Sequence, residues 1–450
     1  MTVAETFADF LMSTRFADLP ERTTDLAAMI VASTVASAAA GRSIESARIV
    51  REIELERGGR SDATVWFERG TKLPVVAAAR VNAIMSDAAA SDDSDLRNIV
   101  HAGTPLTATA LAVAEKTAAS GADVLAAIVV GYEAAGRIGE AIIPRFDFRG
   151  FHGCLGAAFG ATIAAARLYG LDARQAAHAI ALTATSIGGL TKSADASVAR
   201  EYHCASVTML GIEAAQAAQR GYTGELAILE MERGFCQLFG GPEANVASIT
   251  RDLGRDWDIA TDMAFKLVPG GHPFHAFAEA AANAAREGDI RPEDIAAIII
   301  ARPGFTRLPG PLHPDDLVKM AHSPAYFAAA AARDKHFGWE HAGAAKIADP
   351  VVHGLIGKVR TGPEPTENAA RYRQGATVTI ETTSGRRVTS TVFVPTGAAE
   401  LGVGWDAIDA KYRALAPFAP LSSAAIETSL SATRRLRDAP NVTALLEALG

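Results

Sequence analysis

Cysteine is scarce. Cys154, Cys204 and Cys236 are the three in 450 residues, and no Cys-x-x-Cys pair is present to start a disulfide framework or a zinc knuckle. All three read as small buried hydrophobes. A basic excess is missing too, since 43 Lys and Arg face 51 Asp and Glu for a net charge of -8. Without a positive footprint, neither nucleic acid nor an anionic membrane surface is an expected partner. No apolar run reaches the ~20 residues of a membrane span before Arg, Lys, Asp or Glu interrupts it. The start, Met1-Thr-Val-Ala-Glu-Thr-Phe-Ala-Asp, lacks the basic and apolar regions of a secretory signal, so a soluble, cytoplasmic protein is expected. Charged residues make up only 21% against 49% hydrophobic, a balance that excludes a mainly disordered chain. There is no internal repeat and no His-Glu-x-x-His motif. His272 and His275 stand three apart without a third ligand nearby, so no metal site is expected.

Alanine is what the chain has in excess: about a fifth of its residues, concentrated before residue 290. Runs of good helix formers with apolar periodicity predict helices over 26–40, 76–89, 105–119, 123–142, 157–169 and 173–185, closely packed because their side chains are small. Gly170 is placed to end one helix in the left-handed conformation, and Asp172 to cap the next. After about residue 265 Pro, Gly and β-branched runs increase. Ile295-Ala-Ala-Ile-Ile-Ile-Ala301 predicts a strand, and the alternating stretches around Ser384-Gly385 predict a β-hairpin. Helical patterns return over 407–415, 424–436 and 442–449. The expected architecture is mainly α: a large all-helical domain over 1–265, completed by 396–450, and a smaller α+β domain over 266–395.

Four polar islands between the Ala-rich helices are suited to present side chains to a ligand. The first, Ala90-Ser-Asp-Asp-Ser-Asp-Leu-Arg-Asn-Ile-Val-His101, reads by itself as a solvated loop that caps a helix. The second, Pro144-Arg-Phe-Asp-Phe-Arg-Gly-Phe-His152-Gly-Cys-Leu-Gly, ends in glycines at a helix start, where backbone can approach an anion. A tight turn whose ring only packs fits it equally. In the third, Arg200 and His203 share one helix face, with a surface ion pair as the plain alternative. The fourth, Lys266-Leu-Val-Pro-Gly-Gly-His272-Pro-Phe-His275, lies at the inferred domain boundary. Arg binds carboxylate through two parallel donors, Lys as a point charge, and a histidine exchanges protons near neutrality. Together the islands suit a small polycarboxylate.

In this order the islands resemble the MmgE/PrpD family, whose activities include 2-methylcitrate dehydratase, cis-aconitate decarboxylase and iminodisuccinate epimerase. The family's acidic motif is similar to Ala90-Ser91-Asp92-Asp93-Ser94 followed by His101, and its aromatic-His turn to Gly150-Phe151-His152 ahead of Phe159-Gly160-Ala161. Its Lys-x-x-His motif falls on Arg200 and His203, with Gln219-Arg-Gly-Tyr-Thr-Gly224 after it. Lys266, Pro269 and His275 follow its boundary motif, and His322-Ser-Pro-Ala-Tyr326 a segment of some members. The resemblance implies a helical domain, an α+β lid domain, a homodimer, no metal or cofactor, and a lyase of the 2-methylcitrate dehydratase type acting on a small di- or tricarboxylate. On it, His101 and His152 carry protons, Lys266 and Arg200 neutralise substrate carboxylates, and His203 and Tyr326 orient or donate. Asp93 orients a histidine and, with Ser94 and His275, contacts substrate. The departures fall on the chemistry. Ala90 stands where the motif leads with Asp, Arg200 replaces a titratable lysine, and the turn after His152 is one residue shorter. An isomerase or epimerase using the same proton carriers, and a non-catalytic carboxylate binder, are the alternatives.

Overall fold

A computed structural model of the chain describes residues 1–143 and 149–450, apart from the side chains of Asp195 and Ala196. Pro144-Arg-Phe-Asp-Phe148, the front of the second island, lies outside the described residues. Helix accounts for 59% of the chain, which makes the fold mainly α as expected. The chain divides into two compact units, one of Met1–Ala194, Val198–Phe265 and Gly402–Gly450, the other of Asp195–Ser197 and Lys266–Leu401.

The first unit is a stack of Ala- and Gly-rich helices. Its principal members are Glu21–Gly41, Val75–Ala88, Gly103–Thr117, Gly121–Ile142, Cys154–Leu168, Ala173–Ser186, Ala199–Gln219 and, from the C-terminal segment, Trp405–Leu415 and Ser423–Arg434. Small residues let them approach until backbone meets backbone. A Cβ on Gly160 would lie 2.8 Å from the Gly131 carbonyl oxygen, and one on Gly156 the same distance from that of Ala135. Helix ends follow local chemistry. The Asp172 carboxylate accepts from the Gln175 N–H at 2.7 Å while the Gln175 side chain accepts from the Asp172 N–H at 3.0 Å, a reciprocal cap. Gly170 has φ +68°, ending the preceding helix as read. By length and composition alone Glu21–Gly41 could cross a membrane, although Asp25 lies within it and Arg42 follows it. Of its most apolar window 89% is buried inside the protein, as for a core helix.

In the second unit a four-stranded sheet runs Val359–Thr361, Ile295–Ala301, Ala376–Thr382, Arg387–Val392 in spatial order. Ile298 pairs with Val359 in parallel and with Ile380 antiparallel, and the hairpin pairs Ile380 with Val388. Alternation does what the sequence pattern implies: Ala376, Val378, Ile380 and Thr382 are buried and their neighbours are half-exposed. Helices His275–Glu287 and Pro324–Asp334, with buried faces made almost wholly of Ala and Phe, share one core with the sheet.

Candidate active site

The first polar island is not a plain loop. Asp93–Asp95 forms a short strand, paired antiparallel with Met263–Phe265 in the register Asp93↔Phe265, Ser94↔Ala264, Asp95↔Met263. Residues with such low strand propensity adopt it because their side chains find buried partners. The Asp93 carboxylate accepts from the Gly103 N–H at 2.9 Å and from the Tyr132 hydroxyl at 3.1 Å. It thus closes the N-terminus of the Gly103–Thr117 helix, where negative charge is favoured. Glycine is required at 103, since a Cβ there would meet that carboxylate at 2.3 Å. Asp95 accepts from the N–H groups of Arg97 and Asn98 at 2.8 and 3.1 Å, shaping the turn that leads back to His101. Burial, and then the neighbouring Asp262, push the Asp95 carboxyl up to about 6.

His101 sits over this turn with Nδ1 2.7 Å from the Asp93 carbonyl oxygen, 3.0 Å from Ser94 Oγ and 3.2 Å from Asp92 Oδ2. A carbonyl can only accept, so Nδ1 carries the proton and, in the neutral ring, Nε2 is the basic nitrogen. The carboxylate beside the imidazole is therefore Asp92, not Asp93. Asp93 meets His101 through its backbone carbonyl, while its carboxylate is held by Gly103 and Tyr132. Ser94 contacts His101 directly. Below this layer the Ser91 carbonyl accepts from Ser37 Oγ at 2.9 Å and from the buried Lys411 ammonium, which is also bound to Ser33 Oγ at 2.7 Å.

The His152 turn is pinned from the other side. His152 N–H donates to the Gly189 carbonyl at 3.2 Å, Thr191 N–H donates to that of Gly150 at 3.0 Å, and Phe151 bridges Leu190. His152 Nδ1 accepts from the Cys154 N–H at 3.3 Å, so in the neutral ring its Nε2 carries the proton. The turn abuts the one before His101, because a Cβ on Gly153 would lie 2.8 Å from the Ile99 carbonyl oxygen. The His203 ring lies 5.4 Å from that of His152, centre to centre. Burial lowers the pKa of His203, against the opposing pull of Asp87.

Arg200 is not a surface residue, which corrects the plain reading of the third island. Its guanidinium is buried, 3.1 Å from Asp87 Oδ2 and 3.2 Å from Glu201 Oε1, and it donates to the Asp87 carbonyl at 2.8 Å. The field of Asp92 reaches it as well. Burial pushes the Glu201 carboxyl up to about 7, and the attraction of Arg200 opposes this without offsetting it. His101, Asp92, Arg200, Asp87, His203 and His152 thus belong to one cluster in the first unit.

The other expected residues belong to the second unit. Lys266 opens the long segment of that unit and is 3% exposed. His275 stacks on His272 at 4.5 Å and, with Glu279, Arg286 and His336, lines a cavity of about 280 Å³. Tyr326 departs from its expected role. Its hydroxyl donates to the His341 carbonyl at 2.8 Å within the core, and burial raises its pKa well above the ordinary phenol value. Asp87 and Lys411 were not singled out from the sequence. Lys411 left a signal, a cation within the apolar i, i+3, i+4, i+7 stripe of Ile408, Lys411, Tyr412 and Leu415. Asp87, 113 positions from Arg200, left none.

A helical unit carrying imidazoles of opposite tautomer beside buried acids, with a smaller α+β unit, defines a class of fold and site. The chain belongs to the MmgE/PrpD family: residues 5–247 match the MmgE/PrpD N-terminal domain and residues 269–432 the C-terminal domain. It is 26% identical to the cis-aconitate decarboxylase of Homo sapiens over 373 residues, 80% of this chain and 76% of that protein. It is 28% identical to the Mus musculus cis-aconitate decarboxylase over 324 residues, 68% of this chain and 64% of that protein. Similarity to the cis-aconitate decarboxylase-like protein oryM of Aspergillus oryzae, at 29%, covers 42% of each chain.

Proposed function

We propose that the chain is a lyase of the 2-methylcitrate dehydratase type, which moves a proton at the carbon beside a carboxylate of a small di- or tricarboxylate. The observation that carries this reading is the pair of tautomers: His101 presents a basic Nε2 and His152 a protonated one. A dehydration needs both. His101 Nε2 takes the proton α to the carboxylate, and the resulting imidazolium is stabilised by Asp92. The carbon–oxygen bond breaks as the double bond forms; the departing hydroxyl, held by a hydrogen bond from His152 Nε2–H, takes the proton from the His101 imidazolium and leaves as water, so both rings end neutral. Arg200 and Lys266 are the cations that the family resemblance assigns to substrate carboxylates. Arg200 fills that role while sharing its guanidinium with Asp87 and Glu201. Asp92 supplies the carboxylate that Ala90 lacks.

A second reading, decarboxylation, is favoured by the names of the relatives. There a carbon–carbon bond breaks, carbon dioxide leaves, and a protonated imidazole delivers its proton to the carbon. The test is NMR of the full chain in deuterated water with hydroxylated and unsaturated di- and tricarboxylates. The proposal expects new alkene signals at the expense of a hydroxy acid, lost in His101→Ala and reduced about 100-fold or more in His152→Ala. Carbon dioxide release would favour decarboxylation. Deuterium uptake without an alkene would make the chain an isomerase, and binding without turnover a carboxylate-binding protein.

A further inference from the structure

We propose that His152, Cys154 and His203 form a binding site for one borderline-soft divalent metal ion of the zinc class, a use that neither the family reading nor the proposed reaction assigns to them. One donor atom from each residue lies within 4.8 Å of the other two. Tetrahedral coordination sets nitrogen and thiolate donors about 3.5 Å apart, so side-chain shifts of about an ångström complete the set. Two imidazoles and one thiolate with a fourth position open to water or carboxylate make a donor set that suits zinc and cobalt rather than magnesium or calcium.

Three features indicate that the space between these donors is built. The His152 turn is fixed to the Gly189–Thr191 segment by the backbone bonds described above. Gly189, at φ +149°, keeps that segment bare: a Cβ there would lie 3.0 Å from Cys154 Sγ and 3.6 Å from His203 Nδ1, so both donors face the room a side chain would fill. His203 Nδ1 is itself buried without a hydrogen-bond partner among the described residues, a state that costs free energy and that a metal relieves. On binding, His152 Nδ1 exchanges the Cys154 N–H for the metal, the Cys154 sulfur–hydrogen bond breaks, the sulfur–metal bond forms, and the thiol proton passes to solvent.

His152 holds the departing hydroxyl in the proposed reaction, so metal uptake would block turnover. That consequence rests on the proposed function; the binding itself does not. The second cluster with compatible spacing, His336, Glu340 and His341, contains no thiol, so a sulfur signature separates the two sites. The test is a titration of the chelator-treated full chain with Co²⁺, followed by absorption. One equivalent should produce the thiolate-to-cobalt charge-transfer band with tetrahedral visible bands, and Zn²⁺ should displace it. Cys154→Ser should remove the charge-transfer band. His203→Ala, a change at a half-buried ring whose fold is to be checked by circular dichroism, should weaken uptake about 100-fold or more, since even outer partners of a ligand cost about 10- to 100-fold. No band at millimolar Co²⁺, a band surviving Cys154→Ser, or unchanged uptake by His203→Ala would each overturn the site. A chain that binds Co²⁺ in this way yet turns over no carboxylate would retain the metal site and lose the proposed reaction.

Discussion

Asp92 and Asp93 are adjacent and equally buried, yet the structure gives them different work. Asp92 reaches His101 with a carboxylate oxygen, whereas Asp93 spends its carboxylate on a helix N-terminus and a tyrosine. Their substitutions should separate accordingly. Asp92→Asn keeps the shape but removes the charge that stabilises the imidazolium, so kcat should fall about 100-fold or more with little change in stability. Asp93→Ala leaves the Gly103 N–H and the Tyr132 hydroxyl buried without their acceptor, and should cost about 2 to 4 kcal/mol of unfolding free energy. Denaturant titration and steady-state kinetics on the two variants check this. Equal stability losses would show that Asp92 is only a structural acid. Ala90 has φ +50° and Ile99 φ +55°, the latter unusual for a β-branched residue. Backbone strain thus brackets the strand that carries these acids, held by the Ser37 and Lys411 bonds at one end and by the Asp95 turn at the other.

The helices of the first unit are set by what small residues allow. Gly160→Ala gains about 1 kcal/mol in helix propensity, yet puts a methyl 2.8 Å from the Gly131 carbonyl oxygen, a backbone atom that cannot swing aside. The net effect should be a loss of about 1 to 2 kcal/mol and a lower Tm in a thermal melt. Unchanged stability would mean that the two helices can part without cost. Where the pattern is local, the elements were legible. The Ala-rich periodicity located Gly121–Ile142 and Ala173–Ser186 to within a few residues, and alternation located the Ala376–Thr382 and Arg387–Val392 hairpin. The strand Asp93–Asp95 was not legible, because Asp-Ser-Asp has no strand propensity and its partner lies some 170 positions later. In the site, His101, His152, Arg200 and His203 could be picked out as isolated candidates. Which carboxylate each one meets depends on tertiary pairing, and Arg200 looked like a surface charge because its partner Asp87 belongs to another helix. Cys154 was set aside as a packing residue, and only the fold shows the two imidazoles beside it.

At the scale of the whole molecule, the displaced carboxyls among the described residues include two groups with opposite pH behaviour. Exposed carboxyls such as Asp18 and Asp289 are lowered by hydrogen bonds to Arg15 and Lys335. Four buried ones of the first unit, Asp95, Glu133, Glu201 and Asp258, are raised, with burial as the leading cause. A raised carboxyl keeps its proton in the folded chain at a pH where the unfolded chain has already lost it. The folded state then binds more protons, so stability falls as pH rises between the two pKa values and levels off above the folded one. For Glu201 that window runs from the ordinary 4.5 to about 7. Glu201→Gln removes the titration and preserves an acceptor for Arg200, so the Tm of the wild type minus that of the variant should decline across this window and stay flat above it. Two histidines work in the opposite sense. His203 and His341 are both lowered by burial, so their contribution is lost as pH falls, and taking the difference between the two proteins cancels it. Thermal melts in matched buffers from pH 4.5 to 8 measure that difference. A flat difference would mean that Glu201 is ionised throughout and that its pair with Arg200 offsets its burial in full. A difference that rises with pH would mean that the pair outweighs burial.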